Sequence, residues 1–368
     1  MAIDPRRRQF VLASGSAAAL SQLGAATNAF GQSPRITVPE VDSLTLRVIT
    51  DSSYDTPRIA PSKHVKVTRK PFSTRADFRK TLHNEWGLAL NLESRIGVET
   101  RHVMLDFGYT PKAYLNNLEI LGIDGSKTQA LVVSHGHFDH SGGLVGYLQE
   151  YRARLPADLT LYVGGEDVFC VRKSGAPGSL ADAGYLDRRE LQKLNVKLVT
   201  CEKPTVILGH GFTTGIIPRT SFERVLPQTM VEYFPSNGVG CDIPEANAKA
   251  GGKAVHDEHI HEHGTCFNVK GKGLVVMSSC GHAGIINTTR AAIAASGVTK
   301  VHAMLGGFHL FPAPEDYVRK TVDEMKALDP DVLIPMHCSG PSLLQVLRSD
   351  LADRLVLSSN GTEIVFGA

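Results

Sequence analysis

Ser134-His135-Gly136-His137-Phe138-Asp139-His140-Ser141-Gly142-Gly143-Leu144 is the stretch that decides how this chain is read. Before it runs Ala130-Leu131-Val132-Val133, a short apolar run rich in β-branched residues, which predicts a buried strand. After it, Leu144, Leu148, Tyr151 and Leu155 recur at helical spacing, with Ser141 placed to cap the first turn. The four polar residues therefore belong to a strand-to-helix turn, where a rigid scaffold presents side chains to a cleft. Three imidazoles and one carboxylate within six positions suit zinc, which takes histidine nitrogen and aspartate oxygen at about 2.0–2.2 Å. So tight a turn does not comfortably give all four to one ion. The natural division assigns His135 and His137 to one ion, and Asp139 and His140 to a second. A polar surface loop that merely contained histidines would leave the strand before it and the glycines after it unexplained.

His-x-His-x-Asp-His behind a buried strand resembles the first metal motif of the metallo-β-lactamase fold superfamily. Further segments resemble one subgroup, the proteins similar to the dihydropterin-ribofuranosylaminobenzene phosphate synthase of methanopterin biosynthesis. They are Glu85-Trp86-Gly87-Leu88, Leu105-Asp106-Phe107-Gly108, Ser279-Cys280-Gly281-His282-Ala283-Gly284, Gly306-Gly307-Phe308-His309-Leu310 and Pro335-Met336-His337-Cys338-Ser339-Gly340. The resemblance runs in order from about Leu44 to Phe366. It says little about substrate, because one fold hosts many reactions.

The ends of the chain differ in character. Arg6-Arg7-Arg8-Gln9-Phe10-Val11-Leu12 leads into an Ala/Gly/Ser-rich run to about Ala29, with no acidic residue after Asp4. Residues 1–31 thus match a twin-arginine export signal, too short and too rich in small residues for a membrane span. Residues 32–42, holding Pro34 and Pro39, read as a linker, and 43–368 as the folded domain. The signal carries a net charge of +2, the whole excess of the 368-residue chain, so the remainder is balanced. A balanced surface lacks the electrostatic footprint of a nucleic-acid partner. The expected partners are a small-molecule substrate and the export machinery. Six cysteines are widely spread without Cys-x-x-Cys pairing, and a chain of this size needs no disulfide framework, although an oxidising compartment would permit one.

Alternation at Leu44, Leu46 and Val48 opens the domain with a strand, and Gly87–Leu92, His102–Leu105 and Leu159–Val163 continue the first batch. Asp51–Arg79 reads as a long surface excursion, residues 164–195 as a lid or substrate wall, and Pro235–Gly252 as loop. Cys266–Val269 and Gly273–Met277 form a hairpin, followed by strands at Val301–Leu305 and Asp331–Pro335 that alternate with helices. Two batches of strands with helices after each predict an α/β, four-layer αβ/βα sandwich.

A catalytic zinc keeps about three protein ligands and an open position, so each ion wants one more. His282 and His337 each end a predicted strand, in the placement of the first motif. The resemblance gives His282 to the ion of His135 and His137, and His337 to that of Asp139 and His140. It also places Asp106 beneath the site as support. Where two-zinc hydrolases of the superfamily often carry a bridging aspartate, this chain has Cys280, which either ligates or packs. His309 is the candidate acid, or else holds a ligand in place. Arg219 is either a substrate anion contact or a salt-bridged scaffold residue. His256, His259, His261 and His263 crowd into eight residues, and the last three would share a face if the segment were a strand. The resemblance implies a carboxylate at position 137 in diiron relatives; an all-imidazole first pair favours two zinc ions. The leading expectation is an exported metallohydrolase, with Asp139 as ligand and proton acceptor. The alternatives are a synthase-like transfer enzyme and a metal-dependent binding protein.

Overall fold

A computed structural model describes residues 35–53, 61–73, 77–176, 179–226, 229–235 and 238–367; the export signal expected over residues 1–31 lies outside them. Two sheets face each other across an apolar seam, and strand alternation builds it. On Ser43–Thr50, Leu44, Leu46 and Val48 turn inward while Thr45 and Arg47 stay partly exposed. Val103, Leu105, Ala130 and Val132 join them from Glu99–Leu105 and Ala130–Val132. The second sheet answers with Val275, Met277, Ala303, Leu305, Val332 and Ile334. Residues between these point the other way and bury helices. Met104 and Leu131 pack with Tyr114, Leu118, Leu144 and Leu148, and Met304 and Leu333 pack with Ile285, Val318, Val322 and Leu347. The order helix, sheet, sheet, helix is the four-layer sandwich that the sequence predicts.

The first sheet has eight strands. In spatial order they are Lys197–Thr200, Thr160–Val163, Ala130–Val132, Glu99–Leu105, Ala89–Ile96, Ser43–Thr50, Thr362–Gly367 and Lys66–Arg69. The second runs Thr205–Ile207, Gly211–Thr213, Thr265–Val269, Gly273–Ser278, Val301–Gly307 and Val332–Met336. Within it the last three strands are parallel, as are Glu99–Leu105 and Ala130–Val132 in the first. Parallel strands deliver their following turns to the same edge, the usual place for a site in such sheets. Asp106, His135, Cys280, His309 and His337 all follow strand ends of this kind.

Several expectations are corrected. Residues 32–42 are not simply a linker: Ile36 and Val38 pack against the second sheet's outer layer, and Glu40–Val41 pairs in parallel with Asn268–Val269. The excursion from Asp51 contains an edge strand, Lys66–Arg69, paired with Thr362–Val365. Pro235–Gly252 contains the helix Pro244–Ala250. Ser141 does not cap the long helix; it ends a one-turn helix, Phe138–Ser141, and its hydroxyl donates to the His137 carbonyl at 2.9 Å.

Residues 164–195 supply two strands of a third, small sheet, ordered Val255–His256, Met230–Glu232, Val171–Ser174, Ala181–Gly184. It sits hard on the metal turn: a Cβ at Gly184 would stand 2.5 Å from His137 Cα. The segment therefore packs directly against the turn that carries His135 to His140. A disulfide, Cys170–Cys241, staples it.

Candidate metal centre

Asp106 organises the turn from below. It is fully buried, in a left-handed backbone conformation (φ 58°) that Asp tolerates better than most residues. Its carboxylate accepts from the Ser134 amide at 2.8 Å, the Ser134 hydroxyl at 2.7 Å and His140 Nδ1 at 2.7 Å. These bonds choose tautomers. With Nδ1–H of His140 donated to Asp106, its Nε2 carries the lone pair. The Ser134 hydroxyl, already donating to Asp106, accepts from His135 Nδ1 at 3.0 Å, which leaves His135 Nε2 without a partner among the described residues.

His337 is fixed the same way from another direction. Its Nδ1 lies 2.7 Å from Ser52 Oγ, and its amide donates to Asp51 Oδ1 at 2.7 Å. Burial pushes the Asp51 carboxyl up to about 6. The outcome is that His140 Nε2 and His337 Nε2 face each other at 3.2 Å, with Asp139 Oδ2 3.3 Å from His337 Nε2 and 3.8 Å from His140 Nε2. Three atoms of ligand type converge, two imidazole nitrogens and a carboxylate oxygen. That arrangement suits a cation.

The other set is as crowded. His135 and His137 ring centroids lie 4.7 Å apart, and His282 lies 5.0 Å from the first and 4.9 Å from the second. Burial, then mutual crowding, drives His135 well below the usual histidine range, and burial pushes His137 down to about 3. His282 is depressed likewise, and neither of its nitrogens has a partner among the described residues. Neutral, buried, unpartnered imidazoles are the state in which histidine ligates. For Asp139, burial works to raise the carboxyl, but the facing His140 and His337 rings hold it below the carboxylate range.

Cys280 Sγ stands between the sets. It falls within 4.8 Å of ligand atoms of His135 and His282, and equally of His140 and His337, where a bridging group would be. His309, also at positive φ (50°), has Nδ1 3.5 Å from that sulfur and a ring centroid 4.1 Å from His282.

Histidines 259, 261 and 263 do not share a strand face, because the strand ends at His256 and His259 has φ 47°. Each does something different. His259 stacks on His282 at 3.8 Å and 8°, and joins His137 and His282 as a group whose ligand atoms converge within 4.8 Å. His261 accepts from the Gly136 amide through Nε2 and donates to Asp167 through Nδ1, both at 3.0 Å, so it braces the turn and has no nitrogen left for an ion. His263 Nε2 donates to the Val133 carbonyl at 3.1 Å.

Arg219 meets neither expectation in full. Its Nη2 donates to the Glu258 carbonyl at 2.7 Å, tying down the chain beside His259, while Nη1 is buried without a partner among the described residues. Residues passed over in the sequence carry much of the support. Glu262 accepts from the amides of Gly281 at 2.8 Å and His282 at 3.0 Å, and from Ala283, clamping the turn that presents His282. Fully buried Arg172 donates to Asp257 at 2.8 Å, whose other oxygen accepts from the His259 amide at 2.9 Å. Their only signal was a run of acids interleaved with the histidines from Asp257 to His263. At the mouth, Trp86 and Phe311 are half-exposed and meet edge-on at 5.6 Å, with Trp86 5.0 Å from the His337 ring.

A synthase of Methanocaldococcus jannaschii, 7,8-dihydropterin-6-methyl-4-(beta-D-ribofuranosyl)-aminobenzene-5'-phosphate synthase, is 27% identical over 271 residues, 72% of this chain and 84% of that protein. An uncharacterized protein of the same organism is 26% identical over 251 residues, 67% of this chain and 82% of its own. A crystal structure of a metal-dependent hydrolase of the beta-lactamase superfamily superposes with a TM-score of 0.62 at 20% identity, covering 87% of this chain and 98% of that one, which supports the fold. Residues 95–337 match the family model of the metallo-beta-lactamase superfamily, and the chain belongs to that superfamily.

Proposed function

We propose that the chain is an exported metallohydrolase that holds two divalent ions, most simply zinc, and acts on an ester, lactone or phosphoester-type substrate. One observation carries the reading: His140 Nε2, His337 Nε2 and Asp139 Oδ2 converge within 3.8 Å, beside nitrogens of His135 and His282 that have no partner among the described residues. Imidazole-rich sets with one thiol favour zinc over harder ions. Bound there, two ions would acidify water and polarise a carbonyl or phosphoryl oxygen. The protein's share is orientation and proton handling. Asp139, kept ionised by His140 and His337, is the proton acceptor. His309 Nε2, buried and unpartnered, is the donor to the leaving group. Trp86 and Phe311 give the mouth an aromatic edge for the apolar part of a substrate. Arg219 Nη2 holds the His259 loop through the Glu258 carbonyl.

Export rests on Arg7-Arg8 and the small-residue run behind them, and the Cys170–Cys241 disulfide supports an oxidising destination. Replacing both arginines by lysine should retain the protein in the cytoplasm; periplasmic accumulation despite it would remove the twin-arginine reading.

A second reading has its own support: Cys280 stands where a harder bridging carboxylate is common, and one relative is named a synthase. Zinc-loaded protein should therefore be screened against lactones, phosphodiesters, phosphotriesters and β-lactams, with and without an amine or alcohol acceptor. Turnover without acceptor supports hydrolysis. Turnover only with acceptor supports transfer, and ligand binding without turnover of any compound leaves a binding protein.

A further inference from the structure

Cys338 has no part in the two-ion centre, yet it is buried against it. Its Sγ lies 3.3 Å from Cys280 Sγ, both cysteines are free, and His309 Nδ1 lies 3.5 Å from the Cys280 sulfur. One ligand atom from each of the three converges within 4.8 Å. We propose that Cys280, Cys338 and His309 form a third metal position, a thiolate pocket for one thiophilic d10 ion, sharing Cys280 with the hydrolytic centre.

Donor chemistry selects the ion: two thiolates and an imidazole favour zinc or copper(I) over magnesium, calcium or manganese. The size fits. Zinc–sulfur bonds of about 2.3 Å at a tetrahedral angle put two sulfurs about 3.8 Å apart, so the pair must open by only about half an ångström. The backbone makes room for them. A Cβ at Gly307 would run into the Ser279 carbonyl oxygen and stand 2.9 Å from Cys338 Sγ and 3.1 Å from Cys280 Cα, so glycine lets the backbone and the Cys338 sulfur pack closely here. Just beyond, His309 takes a left-handed conformation that residues with side chains adopt rarely, and such conformations gather at functional sites. A small cleft lined by Gly281, His282, Phe308, His309, Leu310 and Tyr317 gives access to the ring. The chain closes Cys170 and Cys241 into a disulfide while Cys280 and Cys338 remain thiols in contact. If the hydrolytic reading holds, an ion on His309 takes the proton donor away, so occupancy of this pocket inhibits turnover.

The test begins with a thiol count on the denatured, unreduced full chain. Four thiols are expected, and two, with Cys280 and Cys338 joined, would overturn the proposal. The folded chain is then loaded with cadmium-113 and its NMR spectrum recorded. A resonance in the range of mixed sulfur and nitrogen ligation should appear and should vanish in Cys338→Ser, while the metal bound by the His135 and His140 sets stays. His309→Ala should weaken the same signal at least tenfold in cadmium titrations. A spectrum unchanged by Cys338→Ser would show that this thiol only packs. The result separates from the hydrolytic reading when turnover is measured at two equivalents of zinc, before the third pocket fills: no turnover of any substrate there, with the cadmium resonance present, removes that reading alone, and turnover without the resonance removes this one alone. If Cys338→Ser misfolds, adding copper(I) to wild-type protein decides, since the pocket predicts one equivalent bound with a sulfur-to-metal ultraviolet band and loss of turnover.

Discussion

The two imidazole sets of this centre are held in different ways. Around His140 and His337 every rear contact is made: Asp106 and Ser52 each bond a ring Nδ1 at 2.7 Å, and Asp51 holds the His337 amide. Around His135, His137 and His282 the fixings are looser. His135 leans on the Ser134 hydroxyl at 3.0 Å and His137 on Thr229 at 3.3 Å, while His282 has only its backbone clamped by Glu262 and its ring stacked on His259. Partners behind a ligand fix its tautomer and orientation before the ion arrives. The first set is therefore prebuilt, and the second is completed by the ion it receives. The His140/His337 position should fill first.

The hardest test of that contrast removes a ligand from each side. His337→Ala should drop metal content from about two equivalents to about one and cut turnover by more than about 100-fold, since even an outer partner is worth 10–100-fold. His282→Ala should cost as much turnover but leave the tighter equivalent in place. Elemental analysis that found one equivalent in the wild type, unchanged by His337→Ala, would collapse the two-set description.

Next in size is Asp106→Asn, which keeps the shape and tolerates the left-handed backbone but loses the charge. Zinc affinity at the prebuilt position should fall by about 10–100-fold, measured by competition with a chromophoric chelator. Thr229→Val, the matching change behind His137, should do much less. Equal effects would mean that the two sets are equally preorganised.

Acid should expose the other set. His137 is pushed down to about 3 by burial, and His135 and His282 are depressed in the same direction. Between about pH 6.5 and that lower value the unfolded chain binds protons that the folded chain refuses, so stability must fall as pH falls through this window. Each such histidine contributes a slope of about 1.4 kcal/mol per pH unit. Thermal melts of metal-free protein should follow this, and His137→Asn should flatten the slope by one proton. A His137→Asn variant with the same pH slope as the wild type would contradict the burial of that ring in its neutral form.

What could be read beforehand follows the same division. The turn was legible because its chemistry is packed into six consecutive positions behind a buried strand, and His282 and His337 because each repeats that strand-end placement. Support from afar was not. Ser52 lies 285 positions from the histidine it fixes, and nothing distinguishes a loop serine until the sheets close. His259 and His261 looked alike in sequence, yet one faces the ligands and the other spends both nitrogens on Gly136 and Asp167. The reading of residues 32–42 as linker failed because the prolines outweighed Ile36 and Val38, whose burial depends on a sheet edge more than 200 positions away.

Ser52 gives the finest test. Its hydroxyl accepts from His337 Nδ1 and from the Gly87 amide at 3.2 Å, so it joins the ligand to the segment that carries Trp86. Unlike Asp106 it is neutral, and a neutral hydrogen bond contributes about 1 kcal/mol, roughly fivefold in affinity. Ser52→Ala should therefore weaken zinc at the prebuilt position about fivefold, well short of Asp106→Asn. Trp86 is the only tryptophan in the chain and its ring lies 5.0 Å from that of His337, so its fluorescence reports on this position specifically. A zinc titration followed at Trp86 should show the early equivalent in the wild type and a shifted midpoint in Ser52→Ala. His282→Ala should leave that early change intact. Were the fluorescence to change only with the later equivalent, the order of filling would be reversed, and rear hydrogen bonds would not be what sets affinity here.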